Sequence, residues 1–317
     1  MDVVCGIAGQ SFPPKPQWGI DQIPDLSGKV VIVTGGNSGV GKETCKALLT
    51  KNAKVYMASR SRDRAMIAIE ELRGATGKEA IFLLLDLASL ASVESAVKTF
   101  KSQEKHLHIL FNNGGVMIPP IEQLTTEGYD LQFGTNVLGH WYFTRLLISM
   151  LQATSKASPD GHARIIITSS STALFTTTID WDTLRDTPAR NKLGTRALYA
   201  QSKFGNVVVA QELARRYGGE GIVTSSVNPG NLKTDLQRYQ TGVQKWFTEL
   251  LLHPAPLGAL TQLYAGTSPE GADFNGKYLI PWARHGRIPK GADDPELGNK
   301  LWEWLEEQVK DREAARA

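Results

Sequence analysis

The chain has 317 residues, 41% of them hydrophobic and 21% charged, which is an ordinary composition for a globular protein. Its 35 basic and 32 acidic side chains leave a net charge of only +3, and no basic run is interleaved with aromatic residues, which argues against nucleic acid as a partner. The two cysteines, Cys5 and Cys45, exclude a disulfide framework, and no apolar stretch is long enough for a membrane span. We therefore expect a cytoplasmic protein.

Four prolines interrupt residues 1–27, where few apolar positions recur, so this segment is predicted to be an irregular N-terminal arm. From residue 28 onward, short apolar runs rich in β-branched residues alternate with helical stretches. The predicted strands lie at 29–34, 54–58, 80–86, 107–112, 164–169 and 222–228. The predicted helices lie at 42–51, about 63–73, around 93–100, about 127–151 and 199–217.

This alternation is typical of an α/β domain built on a single doubly wound parallel sheet with helices on both faces, the Rossmann fold. No linker interrupts the alternation, so residues 28–317 are predicted to be one domain. After Pro229 the pattern weakens, and residues at about 235–256 are expected to cover a substrate pocket. The apolar candidates for that cover are Trp246, Phe247, Leu250 and Leu251, each of which could equally belong to a helix that packs onto the core. A strongly charged helix at about 295–313 is predicted to be solvated.

A glycine-rich turn at residues 34–41 (TGGNSGVG) joins the first strand to the first helix. Glycine lets the backbone adopt positive φ and approach a ligand, and the helix amino terminus behind it offers unpaired N–H groups to a phosphate. The turn either binds a dinucleotide, which its place in the series favours, or has glycines for packing alone. Residues 36–42 also fit the start of a P-loop, but Glu43 replaces the metal-binding hydroxyl, which argues against a P-loop phosphotransferase.

The end of the second strand indicates which dinucleotide is bound. NAD sites usually carry an acidic residue here, which binds the ribose 2′-hydroxyl. This sequence instead has Arg60, which can pair with a 2′-phosphate, with Arg64 or Lys42 as possible helpers. The alternative is a solvated arginine on a loop. The missing acid and the basic residue together favour NADP(H) as the cofactor.

Tyr199 and Lys203 are four residues apart at the predicted start of a helix, which places both side chains on one helical face. A tyrosine with a pKa of about 10 exchanges protons poorly at neutral pH, and a nearby ammonium group lowers that pKa. The pair would therefore make the tyrosine a usable general acid or base. The spacing alone also fits an ordinary helix surface.

Several motifs, in the same order along the chain, resemble those of the short-chain dehydrogenase/reductase family. They are the turn at 34–41 (T-G-x-x-x-G-x-G), Asp86-Leu87, residues 112–115 (NNGG, for the family's N-N-A-G), Asn136, Ser170, Tyr199 with Lys203, and Pro229-Gly230 with Thr234. The resemblance covers about residues 28–281. It implies an oxidoreductase that interconverts a carbonyl and an alcohol, and the apolar cover indicates an apolar small-molecule substrate.

The resemblance also implies roles for individual residues. Tyr199 would exchange a proton with the substrate oxygen, and Ser170 would hydrogen-bond that oxygen, with Ser169 or Ser171 in its place if the register shifts. Lys203 would lower the tyrosine pKa and hold the nicotinamide ribose, while Asn136 would hold a water that links Lys203 to solvent. Together with Arg60, the implied cofactor-binding residues are Gly35, Asn37, Ser38, Gly39, Val40, Gly41, Asp86, Leu87, Asn113, Gly114, Tyr199, Lys203, Pro229, Gly230 and Thr234.

The stretch between Ser170 and Tyr199 is longer than is common in the family, and it resembles the retinol-dehydrogenase and WW-domain-oxidoreductase branch and its fungal relatives. The family implies a homo-oligomer, a dimer or a tetramer, formed through the helices at about 127–151 and 199–217. A non-catalytic dinucleotide-binding sensor on the same fold is the alternative function. No metal site is expected, because the six histidines lack metal-ligand spacing. His140 either approaches the active site or packs in the core, which we favour.

Overall fold

The computed structural model describes residues 9–232 and 253–314 of the chain. Within these ranges an eight-stranded sheet has the order β3-β2-β1-β4-β5-β6-β7-β8, and every neighbouring pair is parallel except β7 and β8. The strands are β1 (Val30–Thr34), β2 (Lys54–Ser59), β3 (Ile81–Leu84), β4 (Ile109–Asn112), β5 (Ala163–Thr168), β6 (Ile222–Val227), β7 (Tyr278–Ile280) and β8 (Arg284–His285).

Helices cover both faces of the sheet. The longer ones are α1 (Gly39–Thr50), α2 (Arg62–Thr76), α3 (Leu90–Gln103), α4 (His140–Ala157), α5 (Pro188–Tyr217), α6 (Ala255–Thr267) and α7 (Pro295–Ala314). One buried cluster joins the sheet to α1, α2 and α6, and the other joins it to α3, α4, α5 and α7. Alternate residues of β1 face the two clusters, Val31 and Val33 on one side and Val30 and Ile32 on the other. The predicted doubly wound α/β fold is confirmed.

β1 and β4 are neighbours in the sheet, although β2 and β3 lie between them in sequence. The chain runs from β1 to β3 at one edge of the sheet and then crosses back to β4. The connection after β1 therefore leads towards β2, whereas the connection after β4 leads in the opposite direction, towards β5. Such a reversal leaves a crevice at the carboxyl ends of the strands, where α/β proteins bind their ligands. The glycine-rich turn at 34–41 and the turn at 112–115 both lie at this crevice.

α5 begins at Pro188, but non-helical φ and ψ at Gly194 divide it into two helical segments, so the segment that holds Tyr199 begins after Gly194 and the predicted start at Tyr199 is a few residues late. Thr187 caps the helix by accepting a hydrogen bond from the Arg190 N–H. Pro188, the next residue, has no backbone N–H, but an N–H at the first position of a helix would have no helical partner. A kink at Gly194, with φ of +78°, interrupts the helix. Tyr199 and Lys203 therefore lie within the second segment, a few residues after its start.

α7 packs one face into the core, which corrects the prediction of a solvated helix at 295–313. Leu301, Leu305 and Val309 recur at four-residue intervals and are almost fully buried. α7 lies against α5, in which every residue from Leu198 to Ala214 is buried. This stretch of α5 exposes little surface in a single copy of the chain, and the oligomer interface expected to include residues 199–217 stays a prediction.

The described part of the N-terminal arm is attached to the domain by two buried side chains, Ile23 and Leu26, which join the cluster around α1 and α2. The predicted cover at 235–256 is described only from residue 253, so its four apolar candidates lie outside the described residues. No helix in residues 9–232 and 253–314 combines the length and the apolar character that crossing a membrane requires.

Candidate active site

The crevice collects most of the residues that were expected to bind a cofactor. Those that line it are Gly35, Asn37, Ser38, Gly39, Val40, Gly41, Arg60, Asp86, Leu87, Asn113, Gly114, Tyr199, Lys203 and Pro229. Gly230 follows the last of them and does not line the crevice, and Thr234 lies outside the described residues. One continuous cavity thus joins the glycine-rich turn to the tyrosine–lysine pair.

The glycines of the turn are required by close packing of the backbone, and the helix that follows them offers groups to a ligand. Gly35 has φ of +64°, and a Cβ there would come within 2.8 Å of the Gly114 Cα. A Cβ at Gly41 would collide with the carbonyl oxygen of Gly35. Ser38 starts α1 without a side-chain capping bond, so the first N–H groups of this helix remain available to a diphosphate.

Thr34 fastens the turn after β1 to the turn after β4. Its Oγ1 accepts hydrogen bonds from the backbone N–H groups of Asn113 and Gly114, both at 2.9 Å. The Asn113 Nδ2 group donates in return to the Thr34 carbonyl oxygen at 2.9 Å. These bonds fix the separation of the two walls of the crevice. From the sequence, Thr34 was only the first residue of a motif, and this role of its buried hydroxyl was not predicted.

Arg60 and Arg64 lie at the end of β2, and both side chains are exposed and line the crevice. Among the residues that the structure describes, neither guanidinium group has an ion-pair or hydrogen-bond partner. Lys42, the other expected helper, is paired with Glu71 instead. Two guanidinium groups therefore remain available for an anionic ligand at this end of the crevice.

Tyr199 and Lys203 lie at the other end, on one face of α5. The Tyr199 hydroxyl hydrogen-bonds with Ser170, and the Lys203 ammonium lies 5.9 Å from the centre of the Tyr199 ring. Lys203 Nζ also donates to the carbonyl oxygen of Thr168 at 3.0 Å, which holds the lysine side chain against the end of β5. The structure thus brings together three of the four side chains that were expected to be catalytic.

The two titratable groups of this set are shifted in opposite directions by burial. Burial raises the pKa of Tyr199 to about 12, and the hydrogen bond with Ser170 opposes the rise. Burial lowers the pKa of Lys203 to about 8. Lys203 donates to the Thr168 carbonyl oxygen in this geometry, and the lowering of the tyrosine pKa by Lys203 that the resemblance implies stays a prediction. At neutral pH a tyrosine with a pKa of about 12 carries its proton.

Of the three adjacent serines, Ser169 lines the crevice, whereas Ser170 hydrogen-bonds with Tyr199. Ser169 is buried, and its Oγ donates to the carbonyl oxygen of Lys203 at 2.7 Å, so its hydroxyl is used inside the protein. Ser171 begins a short helical turn after β5. Ser170 is partly exposed and contacts Tyr199, which favours Ser170 over Ser169 and Ser171 as the serine that the resemblance implies.

Asn136 lies in a π-helical segment, Gly134–Gly139, that leads directly into α4, and it does not line the crevice. Its Nδ2 group donates to the Val116 carbonyl oxygen and to Ser202 Oγ, each at 3.0 Å, and its Oδ1 accepts from the Val116 N–H at 2.9 Å. Both hydrogens of the side-chain amide are therefore used, whereas Oδ1 keeps one lone pair, so a water held by Asn136 could bind Oδ1 or the main-chain carbonyl oxygen. Ser202, which precedes Lys203, was not singled out from the sequence.

Comparisons with known proteins decide the family. Residues 29–179 match the family model described as short chain dehydrogenase. A short-chain dehydrogenase/reductase from Armillaria gallica is 56% identical over 305 residues, covering 96% of this chain and 98% of its own. Another, from Phomopsis amygdali, is 40% identical over 324 residues and covers 95% of each chain. The chain belongs to the short-chain dehydrogenase/reductase family.

Solved structures share the fold of this short-chain dehydrogenase/reductase. An uncharacterized protein from Mycobacterium paratuberculosis superposes with a TM-score of 0.69 at 24% identity, covering 92% of this chain and 97% of its own. RhlG of Pseudomonas aeruginosa, solved with NADP, gives 0.58 at 20% identity, with coverages of 85% and 97%. The family consists of oxidoreductases that bind nicotinamide dinucleotides. In the described part of this member, no cluster of three His, Cys, Asp or Glu side chains could hold a metal ion.

Proposed function

We propose that this protein is an NADP(H)-dependent oxidoreductase that interconverts a carbonyl and an alcohol on an apolar small molecule, with Tyr199 as the general acid and base. The observation that carries the proposal is the hydrogen bond of Ser170 with Tyr199 beside Lys203, because Tyr199 and Lys203 line the same cavity as the glycine-rich turn. A dinucleotide whose diphosphate lies on the turn would extend along this cavity towards the tyrosine.

The side chains divide the proton chemistry between them. During reduction the Tyr199 hydroxyl donates its proton to the substrate oxygen, and during oxidation the phenolate accepts the alcohol proton. Ser170 donates a hydrogen bond to the same oxygen and holds it beside the tyrosine. Lys203, whose pKa of about 8 keeps it mainly charged at neutral pH, stabilises the phenolate as the proton leaves. Bound NADP(H) supplies or accepts the hydride.

Arg60 and Arg64 support the choice of the phosphorylated dinucleotide. A guanidinium group binds phosphate with two parallel hydrogen bonds, and both arginines line the crevice without a partner among the described residues. An acidic side chain, which an NAD site would use for the ribose 2′-hydroxyl, is missing at the end of β2. A 2′-phosphate at this position would meet two free positive charges.

A titration of the purified protein with NADPH and NADH, followed by tryptophan fluorescence, tests the cofactor. We expect NADPH to bind at least about tenfold more tightly than NADH, and Arg60→Ala or Arg64→Ala to remove most of that difference. Arg62→Ala is the matched control, because Arg62 lies over the Phe82 ring and does not line the crevice. Equal binding of NADH would contradict the choice of NADP(H). Binding of neither dinucleotide would contradict the proposal that this protein is a dinucleotide-dependent enzyme.

A second groove borders α5 and is lined by apolar side chains together with polar and charged ones, among them Asp180 and Arg196. Phe175, which is 65% exposed, and Leu193, which is 38% exposed, line this groove together with Ala200, the residue after Tyr199. A screen of apolar aldehydes, ketones and quinones with NADPH should identify substrates. NADPH binding without turnover of any of them would favour the sensor alternative. We place the enzyme in the cytoplasm, as a homo-oligomer.

A further inference from the structure

His140 is the first residue of α4 and lies behind the crevice, with only 3% of its surface exposed. Burial lowers the pKa of its imidazole to about 3, so the ring is neutral at physiological pH. Nε2 lies 2.8 Å from Thr34 Oγ1, and Nδ1 lies 3.1 Å from the carbonyl oxygen of Asn136. The two ring nitrogens therefore contact two different parts of the proposed site.

The hydrogen-bond network assigns the proton on this ring. Thr34 Oγ1 already accepts two backbone N–H groups, which occupy both of its lone pairs. Its single hydrogen can be given either to His140 Nε2 at 2.8 Å or to the Phe111 carbonyl oxygen at 3.3 Å, and the shorter contact is the better bond. Nε2 is then the acceptor, which leaves the proton on Nδ1, where it is donated to Asn136.

His140 Nδ1 bonds to the main-chain carbonyl oxygen of Asn136 and not to the side-chain amide. Both hydrogens of the Asn136 amide are donated, to Val116 and Ser202, which fixes the side chain, so the main-chain carbonyl oxygen is the acceptor of this residue that His140 contacts. Hydrogen bonding by His140 Nδ1 occupies one side of this oxygen and fixes the orientation of the peptide group. The histidine therefore determines the direction in which the other lone pair of this carbonyl oxygen points.

We propose that His140 is a positioning residue that couples the cofactor-binding turn, through Thr34, to the proton-transfer end of the site, through the Asn136 carbonyl. This inference rests on the proposed function. The coupling runs through two hydrogen bonds of one rigid ring, so movement of either wall is transmitted to the other. A bound dinucleotide that holds the turn in place would also hold the Asn136 carbonyl in place.

Three substitutions separate the two bonds. His140→Leu removes both. His140→Asn keeps an amide N–H near the position of Nδ1, which can donate to the Asn136 carbonyl but cannot reach Thr34. His140→Gln places its amide near the position of Nε2, where its oxygen can accept from Thr34. The readouts are the Kd for NADPH and the kcat of NADPH oxidation with phenanthrenequinone, an apolar carbonyl probe.

We expect His140→Leu to weaken NADPH binding and to lower kcat, each by about tenfold or more. His140→Gln should bring the Kd back to within about threefold of wild type while kcat stays low, and His140→Asn should restore kcat but not the Kd. The matched control is His108→Leu. The His108 Nδ1 accepts the Val30 N–H at 3.0 Å at the opposite end of the sheet, so this change should lower stability without altering either readout.

Equal losses in all three His140 variants, or lower stability with unchanged Kd and kcat, would overturn the proposal. NMR of the histidine ring nitrogens provides a measurement that needs no ligand. We expect a protonated Nδ1 and an unprotonated Nε2 on His140, and the reverse tautomer would also overturn the proposal. A wild-type protein that binds no NADPH would count against the proposed function, while the tautomer remains measurable in the same sample.

Discussion

Asp130 and Arg190 form an ion pair, with 3.0 Å between Oδ2 and Nε, in which each side chain is only 2% exposed. Arg190 also donates to two carbonyl oxygens in the loop at 121–123. The Asp130 Oδ1 accepts from the backbone N–H groups of Gln132 and Phe133, at the turn that leads into the π-helical segment. The pair therefore fastens the start of α5 to the start of the helix that carries Asn136.

Removal of Asp130 should destabilise the protein strongly. In Asp130→Ala the Arg190 charge stays buried without its carboxylate, and we expect the free energy of unfolding to fall by about 3–5 kcal/mol, measured by urea denaturation. Asp186→Ala is the matched control, because Asp186 contacts the same guanidinium group at 3.4 Å but is 62% exposed. Since solvent screens that exposed contact, the control should change stability by no more than about 0.5 kcal/mol. Similar losses in both variants would contradict this account.

Tyr199→Phe should abolish catalysis while it preserves cofactor binding. The substitution removes only the hydroxyl that exchanges the proton, and general acid catalysis contributes roughly 100-fold or more to a rate. We therefore expect kcat with phenanthrenequinone to fall at least about 100-fold, with the Kd for NADPH within about threefold of wild type. Steady-state kinetics and fluorescence titration measure the two quantities. A variant that keeps a tenth of the wild-type kcat would show that another group donates the proton.

Gly41→Ala should impair the glycine-rich turn. The new Cβ would collide with the Gly35 carbonyl oxygen, so we expect a loss of about 1–3 kcal/mol in stability and weaker NADPH binding. Gly74→Ala is the control, because Gly74 lies within α2 with no atom within 4 Å of its added Cβ. That change should stabilise the protein by up to about 1 kcal/mol, since alanine favours helix. Thermal denaturation measures the stability of both variants, and titration measures their affinity for NADPH. Equal changes in the two variants would contradict the steric explanation.

The pKa of Lys203 predicts how activity depends on pH. The group is charged below its pKa of about 8 and loses its charge as the pH rises through that value. The ratio kcat/KM reports the protonation state of the free enzyme, so we expect kcat/KM for NADPH to fall above about pH 8. A profile that remains flat up to pH 10 would show that Lys203 keeps its ordinary pKa of about 10.5 in solution.

The sheet and the main site residues could be predicted because their signals are local. β1 is an uninterrupted run of five buried residues, and Tyr199 and Lys203 share one face of any helix that contains them. The sequence also marks the start of α5, because Thr187 is a capping residue and proline follows it. The predicted start was placed later, at Tyr199, because of the chemistry expected there. β7 has only three residues, too few to produce a periodic pattern.

Other features depend on contacts that a sequence does not display. The π-helical segment leaves Phe133, Val137 and Trp141 buried at the spacing of an ordinary helix, so nothing in the pattern marks it. The role of His140 depends on Thr34, which is 106 residues away in sequence. The buried stripe of α7 was readable at Leu301, Leu305 and Val309, but the charged residues between them concealed it.

The position of α7 in the chain has a consequence for how the enzyme is made. This helix of 20 residues follows every other described element, so a ribosome completes it after the sheet and α5 have already emerged. Until then the side of α5 that Leu301 and Leu305 later cover is exposed to water. The strands β1–β4 with α1 and α2 can assemble earlier, because they do not contact α7 closely, whereas α3 is joined to α7 by the ion pair of Glu94 with Arg312. During synthesis the nucleotide-binding half therefore matures first, and the helix that carries Tyr199 becomes fully enclosed only afterwards.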